Sequence, residues 1–254
     1  EMTDIVSVEP YETAEPVSIY NLNVDEYHTY FVGNSRLLVH NDCTTDMMAA
    51  GREAIENARA RNITDPRILS EVGSRAADAI GDAKAIGVTD AIQRISDNAA
   101  VAVINGRKFT EPTLPIGGKP KGNYQTPDPN YPDPITRQNQ AADLLADNGY
   151  DIKMLPENMV DNPYGIVPGK FPDYLIDGVP FDCFSPETAN VYNIWRTVQT
   201  KTVNQARRIV LNLDGFPGSM DDLVKQFYDW NHDLQTLDEL LMIKNGKISR
   251  LIMN

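Results

Sequence analysis

The stretch PDYLIDGVPFDCFSP carries two aspartates, Asp173 and Asp182, on either side of an Asp177-Gly178 pair. Asp-Gly between apolar runs is a strong two-residue hairpin signal. With that loop, Ile176 faces Val179, Leu175 faces Pro180, Tyr174 faces Phe181 and Asp173 faces Asp182. Pairs alternate between hydrogen-bonded and non-bonded from the turn outward. Pro180 then falls at a non-bonded site, where its missing N–H costs nothing. The same register sets the two aspartate Cβ atoms roughly 5 Å apart. Two negative charges at that spacing repel by on the order of 3 kcal/mol at an effective dielectric of about 20. A divalent cation turns this repulsion into attraction, with the oxygen ligands that hard metals prefer. The alternative is two solvated aspartates on flared strands. Downstream, Lys201 and Gln205 are four apart and share a helix face. A lysine beside two carboxylates can neutralise a phosphoryl transition state or orient a water. Arg196, Arg207 and Arg208 are candidate holders of neighbouring phosphates.

Those residues need a framework. The region from residue 136 onward reads α-β-β-β-α-β-α-β-β. A helix opens at Thr136-Arg137 and ends at Asn148-Gly149, and a short strand follows over residues 150–155. After the Asp-Gly hairpin come a helix over 187–206, a buried-type strand over 208–213 (RIVLNL) and a helix over 221–230. A second hairpin closes around Asn245-Gly246. This order predicts an α/β (α+β) domain, a mixed sheet flanked by helices. Ahead of it, residues 110–135 are punctuated by Pro and Gly and read as a linker. Residues 44–109 have helical spacing, broken at Asp65-Pro66 and Gly87. Residues 1–43 end in a short all-β piece, VSIYNLNVDEYHTYFVGNSRLLVH.

Composition narrows the function. The 254 residues include 36 acidic and 23 basic groups, a net charge of −13 that argues against gripping nucleic acid by bulk electrostatics. An enzyme that meets its substrate through a metal and a few basic groups stays open. Two cysteines, Cys43 and Cys183, cannot build a multi-bridge framework. No apolar run is long enough for a membrane helix. The acidic, Pro-broken start does not read as a secretory signal.

The segments RQNQAADLLADNGYDI, GKFPDYLIDGVPFDCFSP, KTVNQARRIVLNL and KQFYDWNHDL together resemble the C-terminal tRNA-nuclease toxin domain of contact-dependent growth inhibition (CdiA-type) proteins. The resemblance covers residues 136–254. It implies a PD-(D/E)XK-like nuclease fold and cleavage of tRNA with a divalent metal, Mg²⁺ first, with Mn²⁺ or Zn²⁺ as alternatives. Asp173 and Asp182 would be the metal ligands, and Lys201 the catalytic lysine with Gln205 beside it. In the wider class the lysine sits two residues after the second carboxylate; here that place is Phe184, so Lys201 must reach in from the helix. Where the family presents Glu in its first helix, this sequence has Gln140, also a candidate catalytic position. The resemblance further implies delivery as part of a larger secreted or cell-surface effector, action in the target-cell cytoplasm, and a cognate immunity protein. A DNase toxin, or a binding module weakened by Gln140, are the other readings. A second resemblance, over VSIYNLNVDEYHTYFVGNSRLLVHN, is to the end of a pretoxin Hint autoprocessing domain. In that chemistry His28 and His40 assist proton transfer while Asn41 cyclises and cleaves after itself; Asp42 is not a splicing nucleophile.

Overall fold

The computed structural model describes residues 29–32, 37–40, 45–156 and 163–252. Two short antiparallel strands, β1 (Thr29–Val32) and β2 (Leu37–His40), come first and pair Thr29 with His40. His28 and Asn41 lie outside the described residues, so the cleavage chemistry assigned to them has no geometry here.

Three helices follow: α1 (Thr45–Ala60), α2 (Pro66–Ala85) and α3 (Ile92–Ile104). The Asp65-Pro66 break works as a helix start. The Asp65 carboxylate accepts the Arg67 N–H at 2.8 Å, and Pro66 fills the first turn, where no N–H is needed. Small residues let α1 and α2 approach closely: a Cβ on Gly51 would lie 2.9 Å from the Gly73 carbonyl oxygen.

The remainder is a six-stranded mixed sheet in sequential order: β3 (Ile152–Met154), β4 (Tyr174–Ile176), β5 (Val179–Phe184), β6 (Arg208–Asn212), β7 (Glu239–Lys244) and β8 (Lys247–Leu251). The β5–β6 and β6–β7 pairs are parallel and the others antiparallel. Helix α4 (Asp133–Asp147) packs Ala141, Ala142 and Leu145 on one face of the sheet, against Tyr174, Phe181 and Val210. Helices α5 (Val191–Asn204) and α6 (Met220–Asp229) are the crossovers between the parallel strands and cover the other face, over Ile209, Leu211 and Met242. Two crossovers that step in one direction along a sheet share a face when both are right-handed. Both two-residue turns predicted from sequence form, with positive φ at Asp177 and Gly178 and at Asn245 and Gly246. That is the backbone of a type I′ turn.

Two features differ from the expectation. Residues 110–135 are irregular but not loose. The Lys121 N–H donates to the Ile152 carbonyl and its carbonyl accepts the Met154 N–H, both at 2.8 Å, so this segment lies along the open edge of β3. Helix α4 also begins at Asp133, before Thr136, because Pro134 is tolerated in a first turn. In addition, Ala83, Ile86, Val88 and Ile95 from the helical region join the core under α5 and α6. Asp221 fastens that contact, accepting from the Thr89 N–H and hydroxyl and from the Asp90 N–H at 2.7–2.8 Å.

Candidate functional site

The hairpin register agrees with the sequence reading at Tyr174–Phe181, Leu175–Pro180 and Ile176–Val179. The ladder then stops one residue short of the expected Asp173–Asp182 pair. The Asp173 N–H turns to the Phe181 carbonyl at 3.0 Å, and its carboxylate accepts the Cys183 N–H at 2.7 Å. Despite the bend, both aspartates line one cleft, and the Asp182 charge bears on Asp173. Phe181 and Cys183 point towards α4, so alternation along β5 sends Asp182 to the α5 side.

Asp182 is fully buried. Lys201 Nζ lies 2.5 Å from its Oδ2, and Gln205 Nε2 donates to Oδ1 at 2.9 Å and to the Phe171 carbonyl at 3.3 Å. The four-residue spacing works because α5 ends at Asn204, letting Gln205 turn inward from the C-cap while Lys201 reaches from the last turn. Burial pushes the Asp173 carboxyl well above the usual carboxylate range, and the Asp182 charge adds to the shift. Burial raises Asp182 too, opposed by Lys201. Burial pulls the Lys201 ammonium down, but the Asp182 carboxylate outweighs it and leaves the amine above its ordinary value. Burial and mutual repulsion thus oppose ionisation of both acids at once, while Lys201 favours the charged form of Asp182.

These groups line a cleft of about 440 Å³ with Tyr131, Gln138, Phe184, Ser185, Glu187 and Thr188. The other candidates fall elsewhere. Gln140 is exposed and is not part of the lining. Two residues along a helix turn the side chain by about 200°, and the α4 residues that face the cleft are Pro134 and Gln138. The phase was legible: 138, 141, 142 and 145 follow the i, i+3, i+4, i+7 spacing of the buried face. Arg207 makes a two-point contact with Asp238, at 2.9 and 3.0 Å. Arg208 lies 3.7 Å from Asp238 and 3.6 Å from Glu239. Neither lines the cleft, and Arg196 is exposed on α5. The three arginines expected at phosphates are not gathered around the aspartates, since acidic partners in the 238–239 corner claim two of them.

The site is thus a cleft with paired acids and a lysine at a mixed sheet between helix layers, and sequence comparison narrows what it resembles. Residues 170–248 match the Contact-dependent growth inhibition CdiA C-terminal domain, a span that includes Asp173, Asp182, Lys201 and Gln205. The C-terminal region of this chain is thus similar to that family over those residues. Over 104 residues, 41% of the chain, it is 40% identical to the tRNA nuclease CdiA-2 of Burkholderia pseudomallei (strain 1026b), and it spans about 3% of that relative's length. It is also similar to a CdiA-CT/CdiI toxin and immunity complex from Burkholderia pseudomallei, with 27% identity, 53% of this chain and 99% of that chain covered, and a TM-score of 0.44.

Proposed function

We propose that the C-terminal domain is a metal-dependent endoribonuclease that cuts tRNA, delivered into target cells as the toxic end of a larger effector and neutralised by an immunity protein. The observation that carries this reading is the Asp173–Asp182–Lys201 constellation, inside the segment that matches the family. The name of the 40% identical relative supports tRNA as substrate.

Two buried carboxyls whose charges repel suit a cation better than they suit each other. Asp173 and Asp182 would hold it, and it would supply a Lewis acid for the phosphodiester. Among the described residues no cluster of three or more His, Cys, Asp or Glu surrounds the site. That donor set suits Mg²⁺, which is held by one or two carboxylates plus substrate phosphates. Structural Zn²⁺ takes four protein ligands and fits poorly. Lys201, kept protonated by Asp182, sets a fixed positive charge where negative charge develops on phosphorus oxygens. Gln205 holds Asp182 in place through its second oxygen. The architecture is compatible with a PD-(D/E)XK-like assignment in which the lysine comes from the following helix. The exposed position of Gln140 gives no support to a weakened site. The β1–β2 hairpin is read as the end of a Hint autoprocessing domain ahead of the toxin.

The test is cleavage of purified tRNA and of duplex DNA by the full chain, with magnesium and with chelator. Magnesium-dependent cutting of tRNA alone is expected. Cutting of DNA in preference would replace the substrate, and full activity in chelator would remove the metal.

A further inference from the structure

Gln138 is buried, yet its Nε2 has no hydrogen-bond partner among the described residues, and it lines the same cleft as Asp173, Asp182 and Lys201. A second buried atom without a partner among those residues, Ser185 Oγ, lines that cleft as well. Buried polar groups are almost always satisfied, and each exception calls for a reason. Docking of α4 does not supply one. That helix is pinned through the backbone, where the Tyr174 hydroxyl donates to the Gln138 carbonyl at 2.7 Å, and through Ala141, Ala142 and Leu145. The Gln138 side chain could be apolar and the helix would still pack.

The unsatisfied groups are neutral donors, and the cleft already has its positive charge committed. Lys201 is held by Asp182, and Arg207 and Arg208 pair with Asp238 and Glu239. What the cleft lacks is a set of donors for the non-bridging oxygens of a phosphodiester. We infer that Gln138 Nε2 and Ser185 Oγ are that set: they bind the scissile phosphodiester's oxygens and orient it against the Asp173–Asp182–Lys201 group. This inference rests on the nuclease reading and deepens it. Donors fixed in a buried cleft need no reorganisation when charge builds on the phosphate oxygens, so their contribution should grow from ground state to transition state.

The experiment uses the full chain with three substitutions, Gln138→Leu, Gln138→Glu and Ser185→Ala, in single-turnover cleavage of tRNA and in thermal melting. Leu keeps the volume and removes the donor. The expected result is a cleavage rate at least about thirtyfold lower, with half-saturation changed less than about threefold and a melting temperature equal to or above the parent's. Gln138→Glu retains an acceptor and adds a negative charge facing the phosphate, so it should be at least as damaging. Ser185→Ala should cost about threefold to tenfold. Unchanged cleavage by Gln138→Leu, or parental activity in Gln138→Glu, would overturn the proposal, as would a lowered melting temperature with full activity per folded molecule. The carboxamide proton resonances of Gln138 give a readout independent of turnover. They should shift on titration with a thymidine dinucleotide, a phosphodiester with no 2′-hydroxyl, and a spectrum that stays put would also overturn it. A parent chain that leaves tRNA intact while those resonances shift would instead refute the nuclease reading and keep the phosphodiester site.

Discussion

Asp182 and Glu239 are both carboxylates buried on neighbours of the central strand β6, at 0% and 3% exposure, and they are solved in opposite ways. Glu239 is closed. Its Oε1 accepts from Arg250 Nε at 3.0 Å, its Oε2 accepts the Thr110 hydroxyl at 2.7 Å, and Arg208 stands 3.6 Å away. Arg250 reaches on to Glu111, which also pairs with Arg75 at 2.8 Å, so the network ties the helical region to the sheet. Asp182 has Lys201 and Gln205 but also a second acid beside it and two unsatisfied donors in the same cleft. A carboxylate with each oxygen paired holds structure; one beside a second acid and spare donors is a candidate for binding a ligand.

That contrast breaks most readily by exchanging the amide for each acid. Asp182→Asn should lower tRNA cleavage by at least about a thousandfold, about 4 kcal/mol in the barrier. Its fold should hold, because losing the like charge lets Asp173 ionise and serve as the counter-ion of Lys201. Marked unfolding of this variant in chemical denaturation would make Asp182 structural. Glu239→Gln should do the reverse. It strands Arg250, whose side chain is only 13% exposed, and breaking a buried pair on one side costs about 3–5 kcal/mol. Urea unfolding should register that loss, while cleavage per folded molecule stays near the parent's. A stable Glu239→Gln protein would mean that the hydrogen bonds from Thr110 and Arg250 are not what joins the helices to the sheet.

The acid pair should also write itself into the pH dependence of stability. Asp173 has a folded-state pKa above its unfolded value, so over that window the folded chain binds more protons than the unfolded one. Stability then falls as pH rises from the ordinary carboxylate range through the raised folded value. Removing the group with Asp173→Asn should make this decline shallower, leaving the part due to Asp82, which burial pushes up to about 7. Adding magnesium to the parent should flatten it from the other side, since a bound cation favours the ionised carboxylates. Melting temperature across a pH series with and without magnesium checks both, and a decline as steep in Asp173→Asn as in the parent would assign the slope to other groups such as Asp82.

The hairpin was readable because its turn chemistry and its pleat agree: Asp177-Gly178 sets the register, and Pro180 fits only a non-bonded site. Lys201 and Gln205 were readable because a four-residue step on a helix means one face. What the local pattern could not show was the bend at Asp173, since a carboxylate's choice of the Cys183 N–H over a place in the ladder depends on the finished edge. Arg207 and Arg208 looked available for phosphates because Asp238 and Glu239 lie some thirty residues away in sequence and meet them only through the parallel pairing of β6 with β7. The Thr110–Glu239 contact, whose ends are 129 positions apart, left no trace in the apparent linker that carries Thr110.

Gln140 is where the comparison should show nothing. Family resemblance makes it the missing carboxylate, and a Glu there would add charge to a metal site. The helix phase says otherwise. Gln138 faces the cleft, so Gln140, about 200° further round α4, faces solvent. A carboxylate pointing away from the acid pair, separated by solvent, interacts through high dielectric and is screened by salt within about 10 Å. Gln140→Glu should therefore leave tRNA cleavage within about twofold of the parent at matched magnesium, and leave the melting temperature within error, since surface substitutions away from special features usually change stability by less than about 0.5 kcal/mol. A tenfold gain would place residue 140 in the catalytic set and require α4 to turn by half a revolution on substrate or metal binding. Repeating the measurement in the Gln138→Leu background decides between those geometries: two residues on opposite sides of a fixed helix should act independently, whereas residues that exchange places at one site should not.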